Sequence, residues 1–130
     1  MRPLVLLALL SFEGGLAAEK PKLVLDAPRV QSILPGLAAK GYGKRVDVVA
    51  RLEGEIGDPE AFYCLDELWE WGDGTESLHE NDCDPYEDGA EVVREFREAH
   101  YFRRGFYEIT LWLSRGDETV IKATIDVQIR

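Results

Sequence analysis

At 130 residues, with 45% hydrophobic and 10% aromatic content, the chain can bury one core and is too short for two. Fifteen basic against 25 acidic residues leave a net charge of −10. That balance argues against nucleic acid and anionic membrane as partners, because holding a phosphate backbone is mostly cation neutralisation, and the lysines and arginines do not cluster enough to reverse it locally.

Residues 1–18 have the layout of a secretory signal. Arg2 is a positive start, Pro3 to Leu10 an apolar stretch too short to span a bilayer, and Leu16-Ala17-Ala18 a small-residue cleavage site that fits a cut after Ala17 or Ala18. The rival reading is a short anchor helix, which the length of the apolar stretch disfavours. The mature chain keeps its net charge, since Arg2 and Glu13 cancel. The expected address is outside the cytoplasm, extracellular or periplasmic, with no membrane contact in the mature form.

Residues 19–45 read as an N-terminal strand and an irregular connection. Lys22 to Leu25 is a short apolar run stopped by Asp26-Ala27-Pro28, consistent with an edge strand, and Pro35-Gly36 and Gly41-Tyr42-Gly43 interrupt the chain beyond it. From Val46 the alternation is clean: Val46, Val48, Ala50 and Leu52 face one way, Asp47, Val49, Arg51 and Glu53 the other. After the Gly57-Asp58-Pro59 turn, a strand is expected over Phe62 to Trp71. Trp69 and Trp71 share parity, so both rings point to one buried face. Gly72 and Gly74 flank Asp73, a turn in which glycine tolerates positive φ and the carboxylate can fold back onto backbone amides.

Glu76 to Gly89 reads as a long acidic loop, of a length that is functional or tied down by a cross-link. Val92 to Phe102 reads as a strand in preference to a helix, which the i, i+4 pair Arg94 and Glu98 would also allow. Two strong strands complete the chain. Tyr107, Ile109, Leu111 and Leu113 alternate with Phe106, Glu108, Thr110 and Trp112, and Ile121 to Ile129 alternates with Lys122 to Gln128 around an Arg115-Gly116-Asp117 turn. Short strands joined by turns describe an all-β antiparallel sandwich of about seven strands over residues 46–130, preceded by the signal peptide. No internal repeat or low-complexity tract is present.

Cys64 and Cys83 are the only cysteines. An even pair behind a secretory signal reads as a disulfide; a metal pair would need further ligands nearby, and His79 is the only imidazole between them.

Three segments in order, Trp69-Glu70-Trp71-Gly72-Asp73-Gly74-Thr75, His100-Tyr101-Phe102 and Gly105-Phe106-Tyr107-Glu108-Ile109-Thr110-Leu111, resemble the PKD domain, the immunoglobulin-like sandwich named from polycystic kidney disease protein. The family pattern runs roughly Trp-Asp-Phe-Gly-Asp-Gly-Thr, then His-x-Tyr before a Gly turn, then Gly-x-Tyr-x-Val-x-Leu. The match covers Trp69 to Ile129, with Val46 to Leu52 an earlier strand. Glu70, Trp71 and Phe102 stand where the family has Asp, Phe and Tyr; each keeps the charge or the ring. The insert around Cys83 lies where many family members have a shorter connection. The resemblance implies a non-catalytic, extracellular module for protein or carbohydrate contact, or for a structural or adhesion role, and it implies that His100 packs a strand junction.

A small secreted hydrolase or inhibitor is the alternative. It would need a nucleophile with a base, or paired carboxylates in a cleft. His79 and His100 are the only histidines, and Ser32, Ser77 and Ser114 lack a nucleophile-elbow setting. No cofactor is expected. Calcium is the candidate ion, with Asp73, Glu76, Asp82, Asp84, Glu87 and Asp88 as oxygen donors, but their spacing does not follow a calcium-loop pattern. The candidate binding residues are Trp112 and Phe106, outward by parity, with Tyr101 joining them across the turn. The competing reading is that other side chains cover them.

Overall fold

The computed structural model describes residues 20–32 and 40–130; the signal reading on residues 1–18 and the connection over 33–39 lie outside them. Seven strands run in order: β1 (Lys22–Ser32), β2 (Tyr42–Glu53), β3 (Asp66–Glu70), β4 (Glu76–His79), β5 (Glu95–Arg103), β6 (Gly105–Arg115) and β7 (Glu118–Ile129). They form two antiparallel sheets, one ordered β1-β2-β5 and the other β4-β3-β6-β7. The fold is all-β, as the alternation requires, and the described residues include no α-helix.

Each sheet turns its apolar parity inward. Val46, Val48, Ala50 and Leu52 of β2 and Phe96 and Phe102 of β5 meet Trp69 of β3 and Ile109, Leu111 and Leu113 of β6. Trp69 and Trp71 are both 0% exposed. Each removes on the order of 200 Å² from water, about 5 kcal/mol at 25 cal/mol/Å². The Trp71 ring stacks on Trp69 at 5.5 Å and on His100 at 4.6 Å, nearly parallel to both, so one aromatic column ties the two layers. Phe102 meets Trp71 edge-on at 6.1 Å.

Three expectations shift. The strand expected over Phe62 to Trp71 begins only at Asp66: Pro59–Phe62 is a 3₁₀ turn with proline in its first positions, and Cys64 lies at φ 57°, a left-handed conformation no strand carries. The acidic run Glu76 to Gly89 begins with a strand, β4, pairing Glu76 to Glu70 through His79 to Glu67. β1 does not stop at Asp26-Ala27-Pro28 but runs on to Ser32; its register with β2 shifts between Asp26 and Arg29, which accommodates the proline at an edge. The strand expected over Val92 to Phe102 is present as β5, starting at Glu95.

The Cys64–Cys83 disulfide is formed, with Cα atoms 6.1 Å apart. Around it Asn81 Nδ2 donates to the Leu65 carbonyl (2.6 Å), Tyr63 Oη donates to the Asp84 carbonyl (2.7 Å), and Tyr63 meets Tyr86 edge-on. The long connection between β4 and β5 is thus fastened at its start to the entry of β3. No helix among the described residues is long and apolar enough to cross a membrane.

Candidate functional site

The Gly72-Asp73-Gly74 turn is built from its side chains. The Trp71 N–H donates to the Thr75 carbonyl (3.1 Å) and closes the loop. The Thr75 N–H donates to Asp73 Oδ1 (3.0 Å), as does the Thr75 hydroxyl, while His100 Nε2 meets Asp73 Oδ2 at 2.8 Å. Burial works against ionised Asp73, yet the hydrogen bonds from Thr75 and His100 outweigh it and hold the carboxyl below its ordinary value. Because β5 belongs to the other sheet, Asp73–His100 is a polar bolt between layers.

A second bolt lies two residues along β5, where Glu98 contacts His79 Nε2 at the end of β4. His79 therefore has a fixed partner in place of the solvated loop position expected for it. Glu67, opposite His79, accepts from Trp69 Nε1 (3.1 Å); burial pushes its pKa up, moderated by that bond and by His79.

These constellations do not supply a hydrolytic site. In a nucleophile–histidine–carboxylate triad the hydroxyl and the carboxylate occupy different ring nitrogens. Here Thr75 Oγ1 (3.3 Å) and Asp73 both face His100 Nε2, and the threonine proton goes to Asp73. The calcium candidates are dispersed: Asp73 is held in the turn, Glu76 lies on β4 and the others lie beside and beyond Cys83. Among the described residues no group of three or more His, Cys, Asp or Glu is arranged to hold a metal ion.

The outer face of the four-stranded sheet is different. One cross-strand row reads Leu78, Leu68, Trp112, Lys122 over all four strands. Trp112 is half-buried: its Nε1 donates to Glu70 Oε1 (2.6 Å) and Lys122 Nζ lies 4.4 Å from its ring centroid. The expected cover over Trp112 is thus a neighbouring lysine. The next row is Glu76, Glu70, Thr110, Thr124, with Glu108 opposite Asp126 and Phe106 opposite Gln128 beyond it. Phe106 is 78% and Leu78 58% exposed. Glu70, Gly72, Glu76, Glu108 and Thr110 line a shallow depression of about 380 Å³. Glu70–Glu76 and Glu108–Asp126 set like charges directly opposite each other, an arrangement that destabilises an isolated sheet.

Phe106 and Trp112 lie on this face together, six residues apart along β6. Tyr101 does not join them. It is 43% exposed on the outer face of the three-stranded sheet, opposite Arg45. There the charges neutralise one another through Arg45–Asp47, Arg51–Glu95 and Arg97–Glu95 pairs.

Tyr107, expected as a motif residue, points inward, rests on Phe102 at 4.7 Å and donates from its hydroxyl to the Arg103 carbonyl (2.9 Å), clamping the corner between β5 and β6. Two positions on the outer face of the four-stranded sheet escaped the sequence reading. Glu70, at the centre of the acidic face, showed only as a motif variant, and Lys122 only as one polar member of an alternating strand. No family model, curated protein or solved structure matches this chain.

Proposed function

We propose that the chain is an exported, non-catalytic binding module with the immunoglobulin-like sandwich of the PKD type, making protein or carbohydrate contact through the outer face of its four-stranded sheet. Strand order supports the fold assignment: the first, second and fifth strands form one sheet and the third, fourth, sixth and seventh the other, as when an immunoglobulin-type sandwich adds its extra strand to the CFG sheet. A buried tryptophan on the third strand and the Tyr107 hydroxyl bonded back to the preceding corner agree with that pattern. The Cys64–Cys83 bridge supports an oxidising compartment.

The observation that carries the function is the concentration of unneutralised like-charge pairs beside aromatic rings on one face, while the opposite face neutralises its own charges. Packing alone gives no reason to retain Glu70 against Glu76 or Glu108 against Asp126. A ligand presenting hydroxyls or cations satisfies those carboxylates and stacks on the indole, the chemistry shared by neutral sugars and basic protein segments. Anionic glycans are disfavoured by the same charges.

A glycan array and a pull-down from culture medium or periplasmic extract, each run with wild type and Trp112→Ala, test this. Captured ligand lost on substitution supports the reading. Binding that survives Trp112→Ala and Phe106→Ala together removes this face as the site.

A further inference from the structure

β7 is the outer strand of the four-stranded sheet: β6 pairs with one side of it, β1 of the other layer comes close to it without pairing, and among the described residues no strand hydrogen-bonds to its other side. Natural edge strands are commonly blunted by shortness, proline, bulges or charged side chains, and β7 carries charges of both signs at Glu118, Lys122 and Asp126. β7 runs for 12 residues without proline or glycine, and its register with β6 shifts only near its start, leaving Ile121 to Ile129 regular. The apolar layer also runs out to this edge. Ile121, Ala123, Ile125 and Val127 point toward the core yet are only partly buried, whereas Ile109, Leu111 and Leu113 on the adjoining strand are fully buried.

We propose that the chain self-associates through β7, which pairs antiparallel with β7 of a second copy about a twofold axis at Thr124. The choice of occupant and register rests on charge. Side chains opposite each other in an antiparallel pair share a face, so only registers centred on a residue keep the aliphatic row inward. A centre at Lys122 sets two lysines face to face, and a centre at Asp126 two aspartates. Centres at 123 or 125 leave both charges opposite uncharged residues. A centre at Thr124 sets Lys122 opposite Asp126 twice, by symmetry, and Ile121 opposite Val127 and Ala123 opposite Ile125 on the inner face. Asp126 needs such a cation, because the residue opposite it within its own sheet is Glu108. The product is one continuous eight-stranded sheet, isologous and closed. Lys122, drawn toward Asp126 of the second copy, then leaves the face of Trp112.

Sedimentation velocity of the disulfide-intact protein from micromolar to millimolar concentration tests this. A reversible monomer–dimer equilibrium is expected. Lys122→Asp or Asp126→Lys alone turns both pairs repulsive and weakens the dimer about tenfold. The double variant exchanges the charges and restores affinity to within about threefold. Near-ultraviolet circular dichroism, dominated by the buried tryptophans, checks that each variant is folded. In an independent arm, Thr124→Cys forms an inter-chain bridge under mild oxidation, since the axis sets the two side chains directly opposite, and Thr110→Cys, on the same face of β6, does not. A monomer at every concentration, a dimer indifferent to the single substitutions, failure of the double variant to recover, or no Thr124→Cys bridge overturns the proposal.

Discussion

Replacing Gly72 by alanine probes the tightest site among the described glycines. Gly72 sits at φ +82°, and a Cβ there falls 2.5 Å from the Glu108 carbonyl oxygen and 2.9 Å from its nitrogen. Both obstructing atoms are main chain of β6, so no side-chain rotation relieves the overlap. Two costs add. The left-handed backbone costs a non-glycine residue about 1 kcal/mol, and forcing the turn away from β6 costs about 2 kcal/mol more, as overpacking of a tight contact does. Gly74 is the internal control: its φ is +91° and nothing lies within 4 Å of its Cβ, so only the first cost applies. At roughly 4 °C per kcal/mol for a domain of this size, Gly72→Ala lowers Tm by about 12 °C and Gly74→Ala by about 4 °C. Calorimetry on the oxidised protein reads both. Equal losses for the two variants would refute the close-approach argument, and with it the account of why this turn begins with glycine.

Removing the bridge as Cys64→Ser with Cys83→Ser deletes a cross-link separated by 19 residues. The expected loss is about 3 kcal/mol in urea titrations, and early proteolysis within the connection between β4 and β5, which near Cys83 keeps its hydrogen bonds to Leu65, Asp66 and Tyr63. An unchanged urea midpoint would show that those bonds suffice. Two carboxyls titrate with opposite sign. Asp73 is held below its ordinary value, so its contribution is complete above the usual carboxylate range and is lost as pH falls through the folded pKa; Asp73→Asn makes acid unfolding less steep at the low end. Glu67 is pushed up by burial, so its contribution is present in acid and is lost as pH rises through the folded pKa. Glu67→Gln, which keeps an acceptor for Trp69 Nε1, leaves neutral-pH stability equal or higher. Identical pH–stability curves for wild type and both variants would contradict these assignments.

Much of the architecture was legible where side-chain period and turn chemistry agree. The Trp69/Trp71 parity, the β6–β7 hairpin and the Cys64–Cys83 pair are of this kind, since each depends on local spacing. β4 was not legible, because the inward side chains of this four-residue strand, Ser77 and His79, are both polar; Ser77 accepts from Trp71 Nε1 (3.0 Å) and His79 meets Glu98. The break at Cys64 was invisible because nothing in Phe62 to Leu65 announces a left-handed residue. Tyr101 was grouped with Phe106 and Trp112 because parity orders side chains along one strand and says nothing of which sheet the next strand enters. The chain changes layers at the corner that Tyr107 clamps. The like-charge rows were likewise hidden, since Glu70 and Glu76, or Glu108 and Asp126, become neighbours only through cross-strand register.

The pairing of β2 with β5 sets the tempo of folding. The β6–β7 hairpin closes over a short turn and can form early, but the register of Val46 with His100 joins residues on either side of a long intervening stretch that includes β3 and β4. Loop-closure entropy must be met before those contacts return anything, which assigns the molecule to the millisecond-to-second class of β topologies. β3 and β6 meet the same requirement, since Asp66 pairs with Ser114, so neither sheet closes before a long-range contact forms. Until the two sheets dock, the aromatic column has one wall, and the folding chain presents two bare indoles to its surroundings.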